Sequence, residues 1–548
     1  MKINKLYLFS LSLATGILLS LAWPERGFPG LLFIGFVPLL FLENIFYKNR
    51  ELDTKFSVLL WSWPGFLTWN LLTTWWIVNS TTIGGILAIV LNSLFMSIVF
   101  QAFHWFRKKF QHAGAGYVAL LSYWIAFEYL HLNWDLNWPW LNLGNGFASF
   151  YKWVQWYEYT GASGGTLWAL VGNILVFELI SQFKNNKSKV KKTFRFSFFN
   201  IQYSIFIFIW IFVPILFSYA IYTSYNEKQQ PVNIVVIQPN IDPYSEQYAL
   251  PPDEVIGRIL KLATPYLDTT VNFLVGPESV IQENLWENSL SSFSSIQGLN
   301  QILDNYPDLN ILVGASTFYQ FKPGEPLPRT ARKFTDTPNH YIAFNTAIMV
   351  NRLDSHQLYH KSKLTPGVEI LPSFSGFQWL EKYAIDLGGT VGSLGTDSVR
   401  RVYHTVKTVK VSPAICYESV FGEFFASFVR NGAQIMIIIT NDGWWGNTPG
   451  YRQHFLFSHL RAIETRRSIA RSANTGISAF IDQRGDASSV TEYWKPAAIK
   501  GRLNANQKIT FYVRHGDYLS RIFVWMGAAL FFTSLILALR RRLKKIWL

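Results

Sequence analysis

The chain holds one cysteine, Cys416, in the run SPAICYESVFG at residues 412–422. Before it lies a β-type stretch, 407–415, in which Val409 and Val411 alternate, and after it 418–430 reads as a helix. The pattern puts Cys416 at a bend from strand to helix. There a side chain projects outward, and helix N-terminal amides favour a thiolate or an oxyanion. The ordinary alternative for a lone cysteine is a small buried apolar residue. Other strand-like runs also end in reactive groups, which shifts the reading toward a nucleophile. Glu278 follows 272–275 in LVGPES, where Pro277 holds Gly276 extended. Lys361 lies in LYHKSKLTPGVEILP with Glu369 beyond it, and Asn441 and Asp442 close 434–440 in IIITNDGWWG. A carboxylate can take the thiol proton, and an ammonium can stabilise the thiolate and then the tetrahedral oxyanion. Attack at an acyl carbon gives a thioester that a second nucleophile cleaves. Lys361 and Lys363 would share a face if their segment were a strand, so spacing leaves the choice between them open. His454 and His459 are five apart on an expected helix, a poor pair for a metal or a dyad, and read as structural.

These groups need a scaffold that brings strand ends to one rim. From Pro231 onward short β runs alternate with helical stretches. Strands are expected at 233–238, 272–275, 310–315, 343–351, 406–415, 434–440, 478–482 and 509–513, and helices at 251–267, 295–305 and 452–467. The first of these helices opens PPDE, with prolines and acids suited to a helix N-terminus. The alternation predicts an α/β domain with a layered sheet core, and about 290 residues suffice to bury one.

The rest of the chain is of another kind. Half of the 548 residues are hydrophobic and 17% are aromatic, which is too apolar for one ordinary soluble domain. One cysteine excludes an intrachain disulfide and a multi-cysteine zinc site. Eight apolar segments, near 5–23, 28–46, 56–78, 84–106, 115–132, 163–183, 199–223 and 519–540, have the roughly 20 residues needed to cross a bilayer. The first resembles a signal peptide in its charges, but no clear cleavage site follows, so it reads as a helix. The net charge of +15 is concentrated in alternate loops. Those loops hold Lys2 and Lys5; Lys48, Arg50 and Lys55; Arg107, Lys108 and Lys109; Lys184, Lys187, Lys189, Lys191, Lys192 and Arg195; and Arg540, Arg541, Arg542, Lys544 and Lys545. The positive-inside rule then puts both termini in the cytoplasm and residues 224–518 outside. Basic residues spread in this way do not form a nucleic-acid-binding face. The outer loop 133–163 is rich in aromatics, including Trp138 and Trp140. It reads as an interfacial belt or as the wall of a lipid-binding cleft. Glu128, near the outer end of the fifth span, is an intramembrane carboxylate and so a candidate functional group.

GPES with Glu278, KSKLTPGVE with Lys361 and Glu369, and CYES with Cys416 resemble the Glu–Lys–Cys set of the nitrilase superfamily. NDGWWG and RQHFLFSHLRAIETRRSIARSANTG are similar to that superfamily as well. With this domain set between seven spans and one, nearly the whole chain resembles the apolipoprotein N-acyltransferase family, and WPWLNLGN at 138–145 is similar to its membrane-side motif. The resemblance implies an eight-helix polytopic membrane protein carrying an extracytoplasmic αββα sandwich. Its parts would be a membrane domain at 1–223, a catalytic domain at 224–518, and a last helix with a basic tail at 519–548. The implied location is the bacterial inner membrane, with the catalytic domain periplasmic. The implied reaction moves an acyl chain from a phospholipid, through a thioester on Cys416, to the α-amine of the diacylglyceryl-modified N-terminal cysteine of an apolipoprotein, with no cofactor or metal. Glu278 would be the base, Lys361 the oxyanion stabiliser and Glu369 a second carboxylate. Tyr417 and Glu418 would shape the site, and Trp138, Trp140, Asn441 and Trp444 would contact substrate. Residues 371–395 would be a lid or a plain surface loop. Two other readings compete: a membrane-anchored amidase or nitrilase that uses water, and a transporter with a non-catalytic outer domain.

Overall fold

Apolar segments in lipid must satisfy their backbone groups internally, and helices do so. In the computed structural model, which describes residues 4–110, 113–187, 194–353, 356–370, 394–407 and 409–546, the apolar segments are indeed helical. Most of the expected lid, 371–393, lies outside the described residues. The chain forms two compact units. One is Met1–Trp75, Ile86–Ser224 and Asp517–Leu548; the other is Trp76–Gly85 and Tyr225–Gly516.

In the first unit, six described helices are long and apolar enough to cross a membrane: Lys5–Ala22, Pro29–Lys48, Thr82–Phe110, Ala162–Phe183, Ile201–Ser224 and Tyr518–Leu537. Helices Ser57–Thr74 and Ala113–His131 stand where two further spans were expected. The carboxylates of Glu43, Glu128 and Glu178 in this unit are matched. Glu43 meets His104 at 2.8 Å and pairs with Arg107, and Glu178 accepts from Tyr117. Glu128 is buried and accepts from Leu143 N (2.9 Å), Trp124 Nε1 (3.0 Å) and Thr166 Oγ1 (2.7 Å). It fastens the aromatic loop, whose turns Pro139–Leu141 and Leu143–Trp153 fold inward. Trp138 and Trp140 are buried there and stack with centroids 5.5 Å apart. With Leu143 of this loop, Trp124 of its own helix and Thr166 of helix Ala162–Lys187 all donating to it, Glu128 is a structural anchor.

The second unit is built on two sheets. The first comprises β1 (Pro231–Gln238), β2 (Phe273–Val275), β3 (Ile281–Trp286), β4 (Asn310–Gln320), β5 (Arg332–Lys333), β6 (His340–Val350), β7 (Gln357–His360) and β13 (Ala497–Asn504). Its order is β13-β1-β2-β4-β6-β5, with β3 also on β4 and β7 on β6. The second sheet runs β12-β11-β10-β9-β8, from Ala487–Ser488, Ala479–Ile481, Ile469–Ala473, Ile435–Thr440 and Val411–Ile415. The strand period of two divides β1 cleanly. Val232, Ile234 and Val236 join the core shared with Ala414, Ile437 and Ala470 of the other sheet. Val235 and Ile237 pack the opposite way, against Val255, Ile256 and Ile259 of helix Pro252–Ala263 and Leu299 of helix Ser294–Asn305. Beyond the second sheet, helix Gly422–Arg430 contributes Phe425, Phe428 and Val429, and helix Pro449–Thr465 contributes Ala462. The layers are therefore helix, sheet, sheet, helix.

Several elements differ from expectation. Residues 509–513 are not a strand. Thr510 Oγ1 caps Val513 N at 3.0 Å and starts the short helix Phe511–His515, so the local cap overrides the β-branched pattern. The expected helix at 418–430 is split: a 3₁₀ turn spans Cys416–Val420, and the α-helix begins at Gly422. Only Val411–Ile415 of 406–415 pairs as a strand.

Candidate active site

The C-terminal ends of β2, β7, β8 and β9 meet around a cavity of about 100 Å³. Glu278, Lys361, Glu369, Cys416, Asn441 and Trp444 all line it, and Tyr248, Phe344, Val368 and Leu394 give it an apolar side. Each polar group stands just past its strand: Lys361 after β7, Cys416 after β8, Asn441 after β9, and Glu278 three residues beyond β2.

Cys416 has φ +49°, a left-handed conformation that a non-glycine residue adopts only under constraint. The bend turns the chain from β8 into the 3₁₀ turn. The buried Glu418 carboxylate supports it, with Oε2 accepting from Ile415 N (2.8 Å) and Oε1 from Ser362 N (2.7 Å) and Tyr359 OH (2.6 Å). Tyr417 is buried against the Phe421 ring, with centroids 5.0 Å apart.

Lys361 is 2% exposed, and its Nζ donates to Glu278 Oε1 at 3.0 Å and Glu369 Oε1 at 2.8 Å. Asn345 Nδ2 donates to the same two oxygens at 2.8 and 3.1 Å. Glu278 Oε2 accepts from Asn441 N at 3.0 Å, and Glu369 Oε2 from Thr365 N at 2.9 Å. Burial alone would discharge Lys361, but Glu278, Glu369 and Cys416 outweigh it and hold the ammonium well above the usual lysine range. Against burial, Lys361 holds the Glu369 carboxyl below its ordinary value. Burial and the Glu278 carboxylate push the Cys416 thiol well up, with Lys361 opposing. The resting site thus presents a thiol, so forming the nucleophile requires a base that takes its proton during attack.

Lys363, which spacing could not separate from Lys361, is placed elsewhere. Its Nζ lies over the Phe421 ring at 4.8 Å, and burial and Arg400 lower its pKa. Asn441 Nδ2 donates to Gln247 Oε1 at 2.8 Å, and Trp444 packs against Tyr244 at 5.2 Å. Trp138 and Trp140 belong to the first unit, and every residue lining the cavity comes from the second.

Sequence reasoning missed Asn345 and His360 here, and named His454 without placing it at the site. Asn345 bridges the two carboxylates. His360, before Lys361, stacks on Phe344 at 3.8 Å between Glu287 (2.8 Å) and Asp397 (3.2 Å). His454 is structural as read, but at the site itself: its Nε2 is 3.1 Å from Cys416 O and 2.9 Å from Ser419 Oγ, and its Nδ1 is 2.9 Å from Asp442 Oδ1. Cys416, Asp442 and His454 each place one potential metal-ligand atom within 4.8 Å of the other two. The Arg471 guanidinium, 2.7 Å from Asp442 Oδ2 and 3.2 Å from His454 Nδ1, already faces this group, so it fits a structural ion pair better than a cation site. Against burial, Arg471 and His454 hold the Asp442 carboxyl down at about 2, while burial lowers His454.

A cysteine elbow beside a buried Glu–Lys–Glu cluster, at the rim of a double-sheet sandwich, defines a carbon–nitrogen hydrolase domain of the nitrilase superfamily. Residues 234–505 match the family described as Carbon-nitrogen hydrolase. Similar solved structures include Saccharomyces cerevisiae Nit3, of branch 10 of the nitrilase superfamily. It is 15% identical, with TM-score 0.35, over 50% of this chain and 90% of its own. An amidase from Nesterenkonia sp. is 14% identical, with TM-score 0.34, over 55% and 99%. Residues 15–175 match the Apolipoprotein N-acyltransferase N-terminal domain. Full-length similarity extends to the apolipoprotein N-acyltransferases of Chlorobaculum tepidum, 28% identical over 97% of both chains, and Geobacter metallireducens, 24% identical over 97% of this chain and 96% of the relative. The chain belongs to the apolipoprotein N-acyltransferase family.

Proposed function

We propose that this protein moves an acyl chain from a membrane phospholipid to the α-amine of a diacylglyceryl-modified N-terminal cysteine on apolipoproteins. The observation that carries this reading is the buried ammonium of Lys361 between Glu278 and Glu369, beside a thiol held at a strand-to-turn elbow. In the first half-reaction Glu278 takes the thiol proton as Sγ attacks the ester carbonyl carbon. Lys361 faces the oxyanion, and Glu369 and Asn345 keep it in place. The C–O bond breaks, the departing alkoxide takes the proton from Glu278, and lysophospholipid leaves. In the second, the amine attacks the thioester carbon and gives its proton to Glu278. The C–S bond breaks, and the thiolate recovers that proton to close the cycle. Asn441 and Trp444 are assigned to the substrate wall of the cavity, and Trp138 and Trp140 to the lipid side.

In the same reading the chain crosses the inner membrane eight times. Its membrane domain is 1–223, its periplasmic catalytic domain 224–518, and its last helix and basic cytoplasmic tail 519–548. The loop charges support this arrangement. Hydrolysis by water is the weaker reading, because residues 15–175 match a domain particular to the acyltransferases. The test is incubation of purified protein with acyl-labelled phospholipid. A hydroxylamine-sensitive label on Cys416 that chases onto a diacylglyceryl peptide is expected. Label retained by Cys416→Ala, or release as free fatty acid alone, would refute it.

A further inference from the structure

Residues 75–81 join helices Ser57–Thr74 and Thr82–Phe110, yet residues 76–85, this link and the first turn of the second helix, belong to the compact unit that holds the cavity. Trp76 is fully buried there, with its ring centroid 4.9 Å from that of Trp445. The same indole lies over Gly450, in the first turn of helix Pro449–Thr465, where a Cβ would come within 2.6 Å of it, so only glycine admits the ring. Asn79 Nδ2 donates to Trp445 O at 3.0 Å, and Ser80 lines the cavity. Trp445 in turn packs its ring 5.6 Å from His454, whose Nε2 is 3.1 Å from the carbonyl of Cys416. An unbroken packed path thus runs from a loop between two apolar helices to the backbone of the left-handed cysteine.

We propose that residues 76–85 are a strap that positions the nucleophile: Trp76 fixes Trp445 and the start of helix Pro449–Thr465, these fix His454, and His454 fixes the Cys416 elbow. The proposal rests on reading Cys416 as the nucleophile. Trp76, Trp445 and His454 are positioning residues, none of which exchanges a proton or a bond with substrate. The elbow is the sensitive point. A backbone held at positive φ relaxes when its supports loosen, and a displacement of about 1 Å at a reacting atom can cost about a hundredfold in rate. The catalytic unit without its strap would hold every residue of the Glu278–Lys361–Cys416 set and still present the sulfur poorly.

The full-length protein in detergent carries the test. Two rate constants are read per folded molecule: alkylation of Cys416 by iodoacetamide, and formation of the hydroxylamine-sensitive adduct from labelled phospholipid. Trp76→Ala is expected to slow adduct formation at least about tenfold at saturating phospholipid, with KM little changed, and to change alkylation with it; Trp76→Phe, which keeps a ring on Trp445, restores most of both. Asn79→Ala removes one exposed tie without opening a cavity and should cost about threefold. A purely structural role would lower the yield of folded protein and leave both rate constants alone. Wild-type rate constants in Trp76→Ala and Asn79→Ala would overturn the strap. A wild-type protein whose adduct is not on Cys416 would instead overturn the reading on which it rests.

Discussion

Lys361→Met is the substitution that tests the charge logic of the site. Methionine keeps an unbranched stem of similar length and removes the ammonium that Glu278 and Glu369 share at 3.0 and 2.8 Å. Two buried carboxylates would then be left with one amide, Asn345, between them. Removing one partner of a buried ion pair costs about 3–5 kcal/mol. At about 2–4 °C per kcal/mol for a domain of this size, the unfolding temperature should fall by about 10 °C. Loss of the donor facing the oxyanion should slow thioester formation by about 10²–10³-fold. The pH dependence separates this cause from simple loss of packing. In the wild type Lys361 depresses Glu369, so that pair lends stability above the ordinary glutamate range and loses it as pH falls through the depressed value. In Lys361→Met the pair term is gone and an unmatched buried carboxyl is raised, so the variant gains stability as pH falls. The gap in unfolding temperature should be widest near about pH 8 and narrow toward about pH 5. Thermal unfolding across that range, with single-turnover labelling at its neutral point, measures both effects. A gap of constant width, or a labelling rate within about threefold of wild type, would refute the reasoning.

Lys363→Met removes an ammonium that lies over Phe421 rather than among the carboxylates, and labelling should stay within about threefold of wild type; a hundredfold loss would exchange the roles of the two lysines. Burial works against the charge on His360, but Asp397 and Glu287 hold its pKa up at about 9. The stability it lends is therefore complete below about pH 6.5 and lost as pH rises through about 9, so the unfolding gap to His360→Asn should close above that pH, and one that widened would contradict the bracket. Trp140→Ala empties a site 1% exposed, which should cost about 3–5 kcal/mol of stability. If the loop also walls the lipid side, transfer to the peptide should fall more than adduct formation, and equal rates would leave Trp140 a packing residue.

The elements easiest to find in the sequence were those buried on both faces. β9, IMIIIT, is an unbroken, β-branched apolar run of strand length, and Asn441 follows its end at the cavity. The strands that escaped notice carry mixed patterns. Gln357–His360 and Ile281–Trp286 put polar residues among the apolar ones, and Ala497–Asn504, AAIKGRLN, holds few large apolar side chains although all eight residues pair with β1. For the site, strand ends pointed to Glu278, Cys416 and Asn441, because a sheet delivers its ends to one rim, whereas Lys361 was singled out only by the family resemblance of KSKLTPGVE. Asn345 lies mid-strand in AFNTAIMV, where its only signal was that a buried amide needs partners. The strap was illegible for another reason: Asn79 and Trp445 are 366 residues apart, and no periodicity links them.

Glu418 has a further consequence. The nucleophile stands on one sheet and the lysine on the other, and among the described residues no ladder of backbone hydrogen bonds joins the two. Between them lies oily contact, which resists separation but offers little resistance to sliding. What stops the slide is a handful of polar dowels: Tyr403 OH on Ala347 O, Ser472 Oγ on Ile237 O, and, nearest the chemistry, one carboxylate gripping Ile415 on the cysteine side and Ser362 on the lysine side. That side chain acts as a spacer gauge of fixed length between the sulfur and the ammonium. Glu418→Asp keeps the charge and shortens the gauge by one methylene. It would detune the gap between attacker and oxyanion partner while leaving both of them, and every layer of the sandwich, in place.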